Sequence, residues 1–188
     1  MSAKQIFETL GNVELLSQNR AAVFASKSAP PEIYPQAKQL VSVLCQLPIA
    51  LAGGWQAPLE KMLLKEVYDG RNKTNVIHYL AKNINTFKPD KNHRRLLGEN
   101  RLLFISPGIH ESRPSVRQVK DRDELVFSQI SKIIFIYISK GGRLQEYFER
   151  LISFSYQVFL LDHPLNKDFL NKDVVLLNAD NCRLLLVT

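Results

Sequence analysis

The chain has 188 residues, a length that suits one domain and is sufficient to bury a complete hydrophobic core. Its 45% hydrophobic and 23% charged residues are typical of globular proteins, and no apolar run approaches the roughly 20 residues that span a bilayer. We therefore expect no membrane partner, and the lack of a signal-peptide pattern near the N-terminus predicts a cytoplasmic protein. The net charge of +7 favours polyanionic partners.

The two cysteines, Cys45 and Cys182, are far apart in the sequence, and each has apolar neighbours. They are too few for a disulfide framework or a cysteine-rich metal site. Their surroundings predict buried free thiols.

The first half of the chain alternates short apolar runs with helical patterns. Residues 4–18 have the pattern of one or two short helical turns interrupted at Gly11. Apolar runs at residues 20–25, 48–52 and 74–80 predict three buried strands. A helix is predicted after each of the first two strands. Their apolar faces consist of Ile33, Ala37, Leu40, Val41 and Leu44 in the first helix, and of Leu59, Met62, Leu63 and Val67 in the second.

The second half continues this alternation after a basic stretch without clear periodicity at residues 81–100, which contains Arg94 and Arg95. Helices are predicted at residues 115–129 and 144–154. The apolar runs that predict strands lie at residues 101–106, 131–139, 156–161, 174–177 and 183–187.

Short strands that alternate with helices are typical of βαβ units and predict a parallel sheet. Right-handed crossovers place helices on both faces of such a sheet. The predicted fold class is therefore α/β, a single Rossmann-like domain over residues 1–188 with a mostly parallel open sheet. Ligands of such domains bind beyond the carboxyl ends of the strands, near the point where the strand order reverses.

Four predicted strand ends contain residues suited to phosphate binding. Three are turns rich in Gly, Ser and Lys, where backbone N–H groups and small side chains let an anion approach. The fourth, after residues 101–106, leads to a basic segment and to the helix that contains Arg122. The candidate phosphate-binding residues are Ser26, Lys27, Ser28, Gly53, Gly54, Arg113, Arg117, Arg122, Lys140, Gly141, Gly142 and Arg143.

Standard catalytic motifs are absent from the sequence. It contains no GxGxxG fingerprint, no P-loop, no HExxH motif and no GxSxG nucleophile elbow. The four histidines are scattered along the chain, which favours structural or solvent-exposed roles over catalysis. We expect neither a cofactor nor a bound metal ion.

The order of these motifs over residues 20–166 resembles the DNA-processing protein A (DprA) family, part of the Rossmann-like group that includes the LOG-type phosphoribohydrolases. The family's Gly/Ser-Ser/Thr-Arg turn is matched by Ser26-Lys27-Ser28, and its Gly-Gly turn before a helix by Gly53-Gly54. The family's Ser-Pro strand end, Arg-Pro pair, Arg-Asn helix and last glycine-rich turn are matched at Ser106-Pro107, Arg113-Pro114, Arg122-Asp123 and residues 139–142.

The sequence departs from the family pattern at three positions. Asp121 and Asp123 flank Arg122, where the family has Asn or is more basic, and they partly cancel its charge. Arg143 follows the glycines, where a small hydroxyl residue is common. The additional small domains of full-length DprA proteins have no counterpart here, so the family's recruitment of recombinase is not carried over.

The resemblance implies a protein that binds nucleic acid without catalysis, with single-stranded DNA as its partner in DNA processing and recombination, and a homodimer as its assembly. In this interpretation Lys120 joins the phosphate-binding arginines, and Arg94 and Arg95 extend the basic surface. The aromatic residues near the turns, which either stack on bases or pack in the protein, are Trp55, Tyr137 and Tyr147.

Two alternative functions stay open at this point. Similarity to the LOG-type enzymes implies a nucleotide N-glycosidase with Arg122 and Glu146 as catalytic residues. The Gly-Thr pair that holds the nucleotide phosphate in those enzymes is missing here. The other alternative is a nucleotide-sensing or protein-interaction domain that retains only the fold.

Overall fold

One eight-stranded sheet runs through the part of the chain that the computed structural model describes, residues 7–68, 74–154 and 156–187. Its strands are β1 (Glu8–Gly11), β2 (Arg20–Ala25), β3 (Ala50–Gly53), β4 (Asn75–Tyr79), β5 (Leu102–Ser106), β6 (Lys132–Tyr137), β7 (Gln157–Leu161) and β8 (Val174–Leu177). They lie in the order β1-β5-β4-β3-β2-β6-β7-β8. Every neighbouring pair is parallel except β1 with β5, so the sheet is mostly parallel, as predicted.

The α-helices of the described residues cover both faces of this sheet. They are α1 (Tyr34–Leu44), α2 (Pro58–Tyr68), α3 (Lys91–Gly98), α4 (Val116–Gln129) and α5 (Arg143–Ile152). The first three pack on one face, where Leu40, Leu63 and Leu96 are buried. The last two pack on the other face through residues such as Val126 and Leu151. This arrangement confirms the predicted Rossmann-like α/β fold.

Strand β6 lies in the middle of the sheet because its side chains are apolar on both faces. Ile134 and Ile136 belong to the core beneath α1–α3, and Ile133 and Phe135 belong to the core beneath α4 and α5. A continuous apolar run is what a strand covered by helices on both sides requires. The sequence therefore identified this strand correctly.

The strand order reverses between β2 and β6. From β2 the chain moves outward through β3, β4 and β5, and α4 then returns it to β6, which lies beside β2. The two strand ends are joined by hydrogen bonds of Ser26. Its N–H donates to the carbonyl of Tyr137 at 2.9 Å, and its Oγ accepts the N–H of Ser139 at 2.9 Å. A crevice is expected at such a reversal.

The prediction for residues 4–18 is partly wrong. Residues 4–6 lie outside the described residues. Glu8–Gly11 forms β1 instead of a helical turn, whereas the 3-10 helix at Val13–Ser17 agrees with the prediction. Strand β1 has mostly exposed side chains, and its pairing with the distant β5 fixes it. Such an edge strand leaves little alternating pattern in the sequence.

The two C-terminal runs were expected to supply one or two strands. The first forms β8, whereas residues 183–186 of the second belong to a 3-10 helix at Cys182–Leu186. Before this helix the side-chain oxygen of Asn178 accepts the N–H groups of Asp180 at 3.0 Å and Asn181 at 3.1 Å. This local turn competes with an extended strand. Cys182 and Leu185, three positions apart, become the buried residues of the helix.

The basic stretch at residues 81–100 contains the helix α3, which the sequence analysis missed. Asp90 Oδ1 accepts the N–H of His93 at 2.9 Å, and His93 Nδ1 accepts the N–H of Asp90 at 3.2 Å. This reciprocal cap starts the helix. The signal was hidden because a histidine occupies the position at which Glu or Gln usually completes the cap.

Two whole-chain expectations concern the cysteines and the membrane. Cys45 and Cys182 are buried free thiols, as predicted, and burial raises the pKa of both. None of the described helices is long and apolar enough to cross a membrane.

Candidate functional site

A cavity of about 760 Å³ opens where the strand order reverses, beside the ends of β2 and β6. Its walls are residues 24–28, which include the end of β2 and the turn after it, the start of α2, one side of α4 and the turn that begins α5. The predicted phosphate-binding residues that line it are Ser26, Lys27, Ser28, Arg122, Gly142 and Arg143. Residues from three separate parts of the sequence thus meet at one site.

Arg122 reaches the cavity wall from inside the protein, with only 4% of its surface exposed. Its Nε and Nη2 donate hydrogen bonds to Oδ1 of Asp123 at 2.9 and 2.6 Å. Its Nη1 has no hydrogen-bond partner among the described residues. An unsatisfied buried donor is costly. Nη1 is shielded from solvent beside Gly54, so the guanidinium has to move slightly before it can donate to an anion in the cavity.

Asp123 holds two arginines at this site. The residue is fully buried, and Nε of Arg143 lies 3.5 Å from the carboxylate oxygen that Arg122 does not use. Burial raises the pKa of Asp123, and the neighbouring guanidinium groups oppose that shift. From the sequence, Asp123 was expected to cancel part of the positive charge of Arg122. The structure adds that Asp123 fixes the orientation of the Arg122 guanidinium.

The carboxylate of Glu60 occupies the N–H groups at the start of α2, so these groups are not available to a ligand anion. Its Oε2 accepts the N–H groups of Gln56 and Ala57 at 2.8 and 3.2 Å, and its Oε1 accepts that of Ala25 at 3.0 Å. Burial raises the pKa of Glu60, and these three donors oppose the shift. Glu60 was not among the residues predicted from the sequence. The available signal was a glutamate at the third position of a helix that begins with Pro58.

The start of α5, in contrast, has no side-chain cap among the described residues. The N-cap residue is Gly142, and Arg143 and Leu144 follow it in the cavity wall. The first N–H groups of a helix have no acceptor within the helix, and they attract anions. Gly141 has φ +68°, and its N–H is bound to Oε1 of Gln145 at 2.8 Å. The open donors therefore lie after Gly142 rather than at Gly141.

Gly53 and Gly54 are buried, and protein atoms lie against both of them. A Cβ on Gly54 would lie 2.1 Å from Nη1 of Arg122, and one on Gly53 would lie 3.2 Å from the ring of Trp55. At these positions glycine therefore makes room for the side chains of Arg122 and Trp55. Whether either glycine also contacts a ligand stays a prediction.

The three aromatic residues that were predicted either to stack on bases or to pack in the protein differ in solvent exposure. Trp55 is 3% exposed and Tyr147 is 6% exposed, which favours packing over base stacking for both. Trp55 adopts φ +51°, an unusual conformation for a bulky residue, and its indole N–H donates to the carbonyl of Ile77 at 3.4 Å. Tyr137 is only partly buried.

The other predicted basic residues surround the cavity or lie away from it. Arg113 and Arg117 are exposed, in the loop before α4 and in its first turn. Lys120 is also exposed and lies one turn further along the same helix. Lys140 forms an exposed ion pair with Asp168 at 3.0 Å. None of these four basic residues is part of the cavity wall.

Two further groups of candidates do not reach the cavity. Arg95 donates a hydrogen bond to the carbonyl of Tyr68, the last residue of α2, at the end of that helix remote from the cavity. Arg94, beside it on α3, is exposed. Glu146 is exposed on α5 and does not line the cavity, so the structure does not bring it together with the buried Arg122.

The histidines of the described core have structural contacts. His78 and His93 pack against Phe87 and Phe104 between the sheet and α3. Burial lowers the pKa of both histidines, that of His78 to about 3. Within the described ranges, no group of three or more His, Cys, Asp and Glu side chains is placed to hold a metal ion.

The fold defines a class, the open Rossmann-like α/β domains with a crevice at the reversal of strand order. Comparison with solved structures finds this fold in DNA processing protein A (DprA) from Helicobacter pylori, with TM-score 0.69 and 13% identity over 98% of this chain and 80% of that one. DprA from Streptococcus pneumoniae has TM-score 0.77 and 15% identity over 95% of this chain and 65% of that one. The H. pylori protein binds single-stranded DNA.

A second group of proteins shares the fold less closely. The molybdenum cofactor carrier protein from Chlamydomonas reinhardtii has TM-score 0.57 and 12% identity over 90% of this chain and 98% of that one. No protein-family model and no curated protein sequence matches the chain. The chain therefore has the fold of DprA proteins, which confirms the resemblance drawn from the order of its motifs.

Proposed function

We propose that the protein binds single-stranded DNA through its backbone phosphates, in DNA processing or recombination, and that it does so without catalysis. The main support is Arg122, which is buried in the wall of the cavity at the reversal of strand order. Its Nη1 has no hydrogen-bond partner among the described residues. A phosphate oxygen is a strong acceptor for such a donor.

Three neighbouring features support a phosphate in this cavity. The start of α5, which is the positive end of the helix dipole, forms part of the cavity wall. Arg143 is 36% exposed at its side chain and lies at the border between Asp123 and solvent, so its guanidinium has room to turn toward a ligand. Lys27 is exposed in the cavity wall.

The proposal of single-stranded DNA as the partner, and of DNA processing as the process, is based on the fold comparison. The H. pylori DprA protein has this fold and binds single-stranded DNA, and we assign the same kind of partner to this chain. We also assign the protein to the cytoplasm, because a protein of DNA processing works where the DNA is.

A homodimer is part of the same proposal. Val175 on the edge strand β8, and Leu184 and Val187 at the C-terminal 3-10 helix, are exposed apolar residues that a second copy would cover. Light scattering on the purified protein at several concentrations measures the assembly directly.

A free nucleotide is the second candidate ligand. A cavity of about 760 Å³ has the size of small-molecule sites, which typically span about 300–1,000 Å³. The sensing alternative would use this cavity without DNA.

Binding is tested by fluorescence anisotropy with a labelled oligothymidylate of about 20 nucleotides at NaCl concentrations from about 50 to 400 mM. The logarithm of the affinity should fall with the logarithm of salt by about 0.7 for each phosphate contacted. Arg143→Ala and Lys27→Ala should each weaken binding about tenfold and lower that slope by about 0.7.

Arg94→Ala is the matched control, since it removes an exposed arginine that is not in the cavity wall. It should leave the affinity and the slope close to those of the wild type. Equal losses in Arg94→Ala and Arg143→Ala would show that general positive charge, rather than the cavity, binds the strand. No binding at low salt would refute the proposal.

A further inference from the structure

Apart from the exposed Lys27, the charged groups at the cavity wall and directly behind it are balanced in number. Arg122 and Arg143 supply two guanidinium groups, and Asp123 and Glu60 supply two carboxylates. Glu60 is 6% exposed and Asp123 is fully buried, so solvent screens these charges less than it screens the exposed Lys27. Charges removed from water act strongly on a ligand in the same cavity.

The two carboxylates are fixed in place. Asp123 accepts two hydrogen bonds from Arg122 through a single oxygen. Glu60 accepts three backbone N–H groups that define the turn after β2 and the start of α2. Neither carboxylate can move away from an arriving anion without breaking these bonds.

The attractive groups, in contrast, suit one negative charge. The donors without a side-chain or carboxylate partner among the described residues are Nη1 of Arg122, which is shielded beside Gly54, and the first N–H groups of α5, which are neutral dipoles. Arg143 is partly exposed, and its Nε lies 3.5 Å from Asp123, so its positive charge is shared with that carboxylate and screened by solvent. A second negative charge on the ligand would therefore meet the repulsion of Asp123 and Glu60 without a further buried cation.

We propose that the cavity selects phosphodiesters over phosphomonoesters, so that it takes an internal linkage of a strand and disfavours a phosphorylated end or a free nucleoside monophosphate. A diester has one negative charge, whereas a phosphate monoester has about 1.5 to 2 at neutral pH. This selection rests on the single-stranded DNA binding proposed above, and it decides between the two candidate ligands of the cavity. The exposed Lys27 and Gln56 in the wall show that the cavity reaches solvent, as a strand that continues on both sides requires.

The test is competition against the labelled oligothymidylate at neutral pH. One pair of competitors is thymidine 5′-monophosphate and its methyl ester, which differ in charge by about one unit. The other pair is a short oligothymidylate with and without a 5′-phosphate. We expect the methyl ester to compete about tenfold better than the monophosphate, and the 5′-phosphate to change the affinity of the oligonucleotide less than about twofold.

Asp123→Asn removes one fixed negative charge and keeps the shape of the side chain. In this variant the ratio of the two affinities should fall toward one, mainly through tighter binding of the monophosphate. A folded Asp123→Asn variant that keeps the wild-type ratio contradicts the role of Asp123. If the variant does not fold, the wild-type competition alone decides.

Two results of this experiment have different meanings. A monophosphate that competes as well as or better than its methyl ester, or a 5′-phosphate that improves binding about tenfold, overturns the charge selection and leaves DNA binding intact. Failure of the labelled strand to bind at any salt concentration overturns DNA binding and, with it, this selection.

Discussion

Gly54→Ala tests the packing that positions Arg122. An added Cβ would lie 2.1 Å from Nη1, 2.3 Å from Cζ and 2.8 Å from Nη2 of Arg122, so the guanidinium has to move. It would then lose its hydrogen bonds to Asp123, of 2.9 and 2.6 Å. Breaking a buried ion pair costs about 3–5 kcal/mol. Arg143 stays 3.5 Å from the other oxygen of Asp123, so we expect a smaller loss of about 2–3 kcal/mol.

The assay for Gly54→Ala combines urea unfolding, followed by circular dichroism, with oligonucleotide affinity measured on the folded variant. The affinity should fall about tenfold, because the added methyl group displaces the guanidinium of Arg122, a residue of the cavity wall. Gly98→Ala is the control, since a Cβ at Gly98 in α3 meets nothing within 4 Å. It should be neutral or stabilising by up to about 1 kcal/mol. If Gly54→Ala changes neither stability nor affinity, Arg122 is not held against Gly54 as described.

Three other outcomes are expected. Gly141→Val should lower the free energy of unfolding by about 1–3 kcal/mol, because Gly141 has φ +68°, a conformation that valine adopts only with strain. An added Cβ there meets no atom within 4 Å. A folded variant that binds the oligonucleotide normally would therefore remove Gly141 from the site. Burial lowers the pKa of His78 to about 3. Between about pH 6.5 and pH 3 the unfolded chain therefore binds a proton at this residue that the folded chain does not bind. The free energy of unfolding should consequently fall by about 1–2 kcal/mol from pH 7.5 to pH 5. His78→Asn should reduce this loss of stability at low pH. If the pH dependence of unfolding is the same in the variant and the wild type, the lowered pKa of His78 is contradicted. Nucleoside monophosphates should release no free base, and release that disappears in Glu146→Gln would favour the LOG-like enzyme.

The sequence predicted the sheet well because its strands are covered on both faces. Strands such as β2 and β6 therefore appear as continuous apolar runs that need no knowledge of their partners. The order of the strands was not readable from the sequence. The crevice was nevertheless predicted at the carboxyl ends, because all strands of a parallel sheet end at the same edge.

The chemistry within the crevice was less predictable, because it depends on contacts between distant segments. Glu60 bonds the N–H of Ala25, which lies 35 positions earlier, and the ion pair of Asp123 with Arg143 joins two helices. Gly54 appeared to be a place for phosphate, whereas the structure fills that space with Arg122. Such contacts leave no periodic signal in one sequence.

The most direct test of the proposed site is a crystal structure of the protein with a short oligothymidylate. We expect one internal phosphate in the cavity, with an oxygen within hydrogen-bond distance of Nη1 of Arg122 and of the N–H groups at the start of α5. We also expect Arg143 to have turned from Asp123 toward that phosphate. A strand bound along Arg94 and Arg95 on α3, with the cavity unoccupied, would contradict the account.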